Sequence, residues 1–377
     1  MGRENQGGNA FSREVHGGAM IPLSKPLIGP EEKAAVEEVM ASGMLAQGPR
    51  VAAFEETFAN YIDVKHAVAV SSGTEAIRLG LLALGVGPNS EVIVPAFSFV
   101  ATATAVMMTG ATPVIVDVDE VTFCMDPVKA EAAVSRKTKA VMPVHLYGHP
   151  ADMGPLVDLC EERDLSLVED ACQAHGARWR TRRTGSIGEV GTFSFYPTKN
   201  MTTGEGGAVT TSDPVLAERL QLLRQHGLAG PYQYKMFGYN SRMTDIEAAI
   251  GLVQLGKLDG YNMARRMNAS MLTEGLDDLV ATPTEATWAE HVYHQYTITT
   301  PVRDKLWDHL KRTEVGCGVY YPHPLNEVPI LEGKVRVPEE PVVAKRLSDE
   351  VLSLPVHPGL SGQDVETVIM AVRSYFS

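Results

Sequence analysis

Between residues 65 and 212 the chain repeats a two-part pattern, a short apolar run followed by a stretch with helical spacing. The runs fall at 67–70, 91–94, 113–118, 140–144, 166–168, 192–195 and 208–211. They show little apolar–polar alternation, as expected of strands buried on both faces. Such a rhythm predicts an α/β fold, a mostly parallel seven-stranded sheet flanked by helices. Ligands on these sheets sit beyond the carboxyl ends of the strands, so chemistry is expected just after each run. Helical spacing at 214–225 then leads through a Gly- and Tyr-rich loop, 227–240, to a second helix at 245–258 and a long connector helix beyond it. From about 285 strand-like 296–300, 318–321 and 352–355 mix with helical 304–311 and 362–375, a smaller α+β unit. The organisation read from this is a mobile tail over 1–20, a large domain over 21–260, and a connector helix with a small C-terminal domain over 261–377.

Of the 377 residues 44% are hydrophobic and 21% charged, the balance of a folded, water-soluble protein. The net charge of -13 opposes the counterion release on which nucleic-acid binding relies, so no nucleic-acid partner is expected. A small anionic ligand stays compatible with it, because backbone N–H groups bind phosphate whatever the net charge. The four cysteines (Cys124, Cys160, Cys172, Cys317) form no C-x-x-C pair and read as free thiols in a reducing cytosol. The first twenty residues lack the apolar centre of a signal peptide, and no apolar run is long enough to cross a membrane. A cytoplasmic protein without a membrane partner is the expectation.

Several motifs carry no chemistry. Gly251 to Leu258 has P-loop spacing, but it ends in Leu where Ser or Thr must hold the metal, and it lies in a helical pattern. His145 with His149, and His291 with His294, lack the spacing and companions of a metal site and read as structural or surface residues. No metal is expected, and no G-x-G-x-x-G follows a strand.

The informative segment starts at Ser166, where an apolar run ends in Glu169-Asp170 and continues to Gln173 and His175. Twenty-nine residues after Asp170 comes Lys199, between an apolar run and the Gly-rich turn 204–207. Either group could be a solvated surface residue. Together they match the needs of pyridoxal phosphate (PLP) chemistry, in which a lysine forms a Schiff base and a carboxylate keeps the pyridine nitrogen protonated. Burial lowers a lysine's pKa and suits it to act as nucleophile and proton shuttle. A phosphate seat is available where Val70-Ser-Ser-Gly-Thr-Glu75 enters a helical pattern at 76–84, and Ser194 could add a hydroxyl.

Ordered blocks over about residues 22–377 then make the resemblance specific: 71–76 (SSGTEA), 94–102 (VPAFSFVAT), 143–148 (PVHLYG), 168–176 (VEDACQAHG), 193–200 (FSFYPTKN), 238–243 (GYNSRM) and 352–358 (LSLPVHP). The sequence resembles the DegT/DnrJ/EryC1/StrS family of PLP-dependent sugar aminotransferases, of the fold-type I, aspartate-aminotransferase-like class. Carried over by position, the resemblance makes Lys199 the cofactor lysine, Asp170 the partner of the pyridine nitrogen, and Gln173 a donor near the ring hydroxyl. It makes Phe99 the aromatic stacked on the ring, and Gly73, Thr74 and Ser194 phosphate contacts. Asn240 corresponds to a residue reaching the phosphate from the neighbouring subunit of a homodimer with shared sites, and Arg242 to an arginine near that site or to a structural ion pair.

The sequence departs from the family pattern at Ser241, where Tyr is frequent, at Asn326, where His is common, and at Cys172, which replaces a small residue. These changes bear on the substrate, for which Tyr196, Arg242, His323 and the segment 42–47 are candidates. The implied activity is a ping-pong transfer of an amino group from L-glutamate or L-glutamine to a nucleotide-linked keto-deoxysugar. A keto-cyclitol or other natural-product precursor is an alternative acceptor. From a different class, a PLP-binding regulatory protein without catalysis is the other alternative. Lys199 argues against the dehydratase branch, whose members carry His there.

Overall fold

The computed structural model of the chain describes residues 20–377; the tail expected over 1–20 lies, except for Met20, outside the described residues. All seven apolar runs form strands of one sheet: β1 (His66–Val70), β2 (Glu91–Pro95), β3 (Thr112–Val116), β4 (Thr138–Val141), β5 (Ser166–Asp170), β6 (Val190–Ser194) and β7 (Gly207–Thr211). Their order across the sheet is β1-β7-β6-β5-β4-β2-β3. The pairs among β2 to β6 are parallel, and β7 alone is reversed, antiparallel to both β1 and β6.

Helices start where the sequence provides caps. The Ser72 hydroxyl accepts the Glu75 N–H at the head of helix Gly73–Ala83, and Asp213 accepts two N–H groups before Pro214–Arg224. Thr244 and Glu247 form a reciprocal capping box for the next helix. Each such cap contributes about 1 kcal/mol. That helix runs without a break over 32 residues, Asp245–Leu276, so the helix at 245–258 and the connector are one element. No proline interrupts it, and Gly256 and Gly260 face open space, so no packing demand bends it there. The P-loop-like spacing therefore sits in mid-helix, as does the division between residues 260 and 261.

The two halves of this helix serve different cores. Ala248, Leu255 and Leu258 pack with Phe54, Phe58, Phe193 and Phe195 beneath β6, whereas Ala269, Leu272 and Leu276 join the C-terminal core. The four phenylalanines are wholly buried and meet edge-to-face at 5.0 to 5.4 Å. Truncating any one to Ala would cost about 3–5 kcal/mol. This cluster anchors the end of β6, from which the Lys199 loop departs.

The C-terminal unit is built on the antiparallel pair β8 (Tyr296–Thr299) and β9 (Val351–Leu354), with helices Arg303–Arg312 and Gly362–Phe376. The strand expected at 318–321 is reduced to a single bridge between Gly318 and Ser353. Pro322 and Pro324 follow it and offer no N–H to extend a ladder, and Tyr320 and Tyr321 turn into a cavity instead. Ile21 bridges to Val315 and is buried in this C-terminal core. Among the described residues no helix is long and apolar enough to cross a membrane.

Candidate active site

Strand periodicity divides the acidic pair at the end of β5. Successive side chains point to opposite faces, and Glu169 and Asp170 have different surroundings. The Glu169 carboxylate is fully buried and accepts the N–H groups of Gly185, Ile187 and Gly188 at 2.6 to 2.8 Å. It also takes His145 Nε2 at 3.0 Å; His145 Nδ1 accepts the Ala151 N–H, so the proton sits on Nε2. Glu169 thus fastens the 185–188 turn to the sheet. Asp170, also buried, lines the cavity on the other side. Its Oδ2 accepts from Thr102 Oγ1 at 2.9 Å and its Oδ1 from the Cys172 N–H at 3.2 Å.

Lys199 enters the same cavity from the loop after β6. The loop is held by its own backbone: Lys199 N–H donates to Tyr196 O, Thr203 N–H to Phe195 O, and Phe195 N–H to Gly206 O, all within 2.9 to 3.0 Å. Gly206 adopts φ +140°, and a Cβ there would stand 2.5 Å from Thr203 Oγ1, so the return of the loop requires glycine. The Lys199 ammonium has no hydrogen bond or ion pair among the described residues. Burial pushes it below the ordinary lysine value, with the charge of Asp170 acting in the opposite sense.

The third wall is the start of helix Gly73–Ala83. The first N–H groups of a helix have no intrahelical acceptor and carry the positive end of its dipole, and here they border the cavity opposite Ser194. A Cβ on Gly73 would lie 2.5 Å from Ser194 Cβ and 3.2 Å from Cys172 Sγ, so only glycine fits between helix and strand.

The cavity, open on one side, has a volume of about 550 Å³. Phe99 and Tyr196 stand at its lip, each roughly half exposed, and Phe99 lies 6.1 Å, centroid to centroid, from Tyr321. Gln173 is fixed at both ends: its Oε1 accepts the Tyr147 N–H at 2.9 Å and its Nε2 donates to Tyr321 OH at 3.0 Å. Tyr147 OH in turn donates to Tyr320 O. Of the titratable groups that line the cavity, Glu205 is held above the usual carboxyl value by burial and by Glu247, and burial keeps His294 neutral. Lys199 is the one lysine or arginine among these lining residues.

Thr102, Tyr147 and Tyr321 are not singled out by the sequence, and His294 is weighed there only as a metal ligand. Thr102 closes the 94–102 block, but no spacing links it to Asp170; Tyr321 and His294 come from segments more than 90 residues away from Lys199.

Other candidates lie outside this cavity. Asn240 and His323 are exposed and Arg242 is half-buried, and none lines the cavity of its own chain. The ion-pair alternative for Arg242 finds no partner among the described residues. Segment 42–47 is largely exposed; Leu45 and Ala46 carbonyls accept the Asp245 N–H. Ser241 donates to Glu75 at 2.6 Å, beside the Arg78 ion pair, and so is structural in this chain. His145, His149, His291 and His294 are all buried, which removes the surface alternative for them. Among the described residues no cluster of ligating side chains could hold a metal, and the four cysteines are free.

A mostly parallel sheet with one reversed strand, carrying a buried carboxylate, a desolvated lysine and a helix start around one cavity, has the layout of a fold-type I enzyme. Residues 26–373 match the model of the DegT/DnrJ/EryC1/StrS aminotransferase family, and the chain belongs to that family. It is similar to a "Pleiotropic regulatory protein" of Geobacillus stearothermophilus, 40% identical over 95% of this chain and 98% of that one. It is similar also to dTDP-3-amino-3,4,6-trideoxy-alpha-D-glucose transaminase of Streptomyces venezuelae, 42% identical over 92% of each chain. The crystal structure of S. venezuelae DesV in complex with a ketimine intermediate superposes with a TM-score of 0.89 at 42% identity, covering 92% of this chain and 94% of that one. The protein is an aminotransferase of a PLP-dependent family, one of whose solved structures is a PLP form.

Proposed function

We propose that the chain holds PLP in this cavity, covalently through Lys199, and moves an amino group from L-glutamate or L-glutamine to a nucleotide-linked keto-deoxysugar in two half-reactions. The observation that carries the reading is the desolvated ammonium of Lys199, without a hydrogen-bond or ion-pair partner among the described residues, in one cavity with the buried carboxylate of Asp170. The residues fit the group. The helix start at Gly73 and Thr74, with the Ser194 hydroxyl, offers neutral donors suited to a phosphate. Asp170 suits a protonated pyridine nitrogen, Gln173 Nε2 the ring hydroxyl, and Phe99 the ring face. Bound there, PLP supplies the electron sink for loss of a proton from the carbon bearing the amino group.

The protein's own part is to position and to move that proton. Lys199 Nζ, free as an amine once a substrate nitrogen has replaced it, takes the proton from the substrate carbon and delivers it at the far side of the same C–N unit. A lysine whose charge is disfavoured by burial is ready for this near neutral pH. Two half-reactions at one lysine give ping-pong kinetics.

The nucleotide-sugar acceptor is supported by the S. venezuelae relative, whose name specifies a dTDP-linked amino sugar. The name of the Geobacillus relative raises the regulatory alternative; retention of Lys199, Asp170, Gln173 and Ser194 favours catalysis. A homodimer with shared sites fits the surface around 228–240, where Tyr232 and Phe237 are 88% and 97% exposed. Aromatic surface of that kind is usual where another chain docks, and the partner's Asn240 and Arg242 would complete the phosphate side. The test is to load the cofactor with an amino group from L-glutamate, add a panel of nucleotide-linked keto-sugars and keto-cyclitols, and follow the cofactor absorbance. Return of the original spectrum with nucleotide-linked keto-sugars is expected. Return with cyclitols alone would overturn the acceptor.

A further inference from the structure

Asp170 does not stand alone. Its Oδ2 accepts from Thr102 Oγ1 at 2.9 Å, and Thr102 Oγ1 lies 2.8 Å from Ser98 Oγ. All three groups are at least 96% buried, with exposures of 4%, 1% and 2%. The direction of this chain follows from valence. An ionised carboxylate only accepts, so the single hydroxyl proton of Thr102 goes to Asp170. Ser98 must then donate to Thr102. The order Ser98 to Thr102 to Asp170 is the one arrangement that satisfies both distances.

We infer that Thr102 is a positioning residue for the electron sink, with Ser98 as its support; this rests on the proposed role of Asp170 toward the pyridine nitrogen. Oδ1 is already fixed by the Cys172 N–H. With Thr102 on the other oxygen, the carboxylate cannot rotate about its Cβ–Cγ bond without losing a charge-assisted hydrogen bond, so its remaining lone pairs keep one aim, into the cavity. Thr102 is well placed for this: it sits in the first turn of helix Ala101–Met108, its N–H donates to Phe99 O, and the loop before it carries Phe99 at the cavity lip. The same turn therefore sets the ring's stacking face and the aim of the group at its nitrogen. A chain of donors also polarises each link in turn, which strengthens the last one.

Thr102 borders the cavity, but its one hydroxyl proton is committed to Asp170, so its removal should leave the cofactor bound while loosening the proton at the ring nitrogen. The experiment compares holoenzymes of wild type, Thr102→Val, Thr102→Ser, Ser98→Ala and Asp170→Asn, reconstituted with ¹⁵N-labelled PLP. Solid-state NMR reads the ring-nitrogen shift, and single-turnover mixing with L-glutamate reads the first half-reaction. Thr102→Val, close to isosteric, should move the ring-nitrogen signal toward the unprotonated value and slow the half-reaction by about tenfold, the worth of one hydrogen bond to a charged group. Thr102→Ser should restore both, and Ser98→Ala should change both less, in the same direction. A shifted signal in Asp170→Asn with an unchanged one in Thr102→Val would overturn the role of the hydroxyl chain and leave the proposed function standing. An unchanged signal in Asp170→Asn would overturn both.

Discussion

Gly73→Ala isolates the cradle at the start of helix Gly73–Ala83. Alanine favours a helix over glycine by up to about 1 kcal/mol, so by propensity alone the variant should be more stable. The added methyl, however, would lie 2.5 Å from Ser194 Cβ and 3.1 Å from Ser194 Oγ. Ser194 ends β6, which is paired on one side with β5 and on the other with β7, so it cannot retreat without disturbing the ladder. Overpacking of this kind costs about 1–3 kcal/mol, which leaves a net destabilisation of roughly 0–2 kcal/mol against the propensity gain. Cofactor binding should suffer more. Pushing the helix start from Ser194 removes at least one hydrogen bond to the phosphate, worth about 1.5–3 kcal/mol for a charged acceptor, or about 10- to 100-fold in affinity. Fluorescence titration of the apoprotein with PLP measures the affinity, and urea unfolding measures the stability. Gly256→Ala, at a helical position facing open space, serves as the control and should leave binding unchanged. Affinity of Gly73→Ala within about twofold of wild type would refute the placement of the phosphate at this helix.

Other consequences can be checked separately. Asp170→Asn should retain PLP yet slow both half-reactions by about 10²- to 10³-fold in stopped-flow single turnovers; wild-type rates would make Asp170 structural. His175 is fully buried between Phe193 and Phe195, and burial pushes its pKa down from 6.5 to about 3. A depressed histidine binds its proton only in the unfolded chain between these values, so the stability it confers is complete above pH 6.5 and is lost as pH falls toward 3. The slope is up to about 1.4 kcal/mol per pH unit. Urea midpoints at intervals between neutral pH and pH 4 should fall less steeply for His175→Gln than for wild type, and parallel curves would count against a neutral buried imidazole. Mixing inactive Lys199→Ala with impaired Asn240→Ala should restore activity once subunits exchange, because one site of the hybrid dimer carries both lesions and the other neither. Exchange without recovery would rule out shared sites.

The sheet was legible because each of its seven strands contains a short run with little apolar–polar alternation, the mark of burial on both faces. The break at 318–321 was not, since a strand-like composition at Gly318 to Tyr321 says nothing of the aromatic rings being drawn into a cavity. The helix over Asp245–Leu276 was seen as two because its apolar face changes partner midway, from the phenylalanine cluster to the C-terminal core. Lys199 and Asp170 could be paired from strand ends and chemistry. Thr102 could not, because its hydrogen bond to Asp170 spans 68 residues and leaves no periodic trace. Spacing alone does not separate Glu169 from Asp170 in role; the family resemblance points to Asp170, and the face of β5 that each one occupies gives the physical reason.

The central claim is that Lys199 carries the cofactor. Reduction of the holoenzyme with borohydride, followed by proteolysis and mass spectrometry of the peptides, tests it directly. The phosphopyridoxyl label is expected on Lys199, in the peptide containing Phe193-Ser-Phe-Tyr-Pro-Thr-Lys-Asn200, and Lys199→Ala should take up none. Stoichiometric label on any other lysine, or retention of label in Lys199→Ala, would contradict the account.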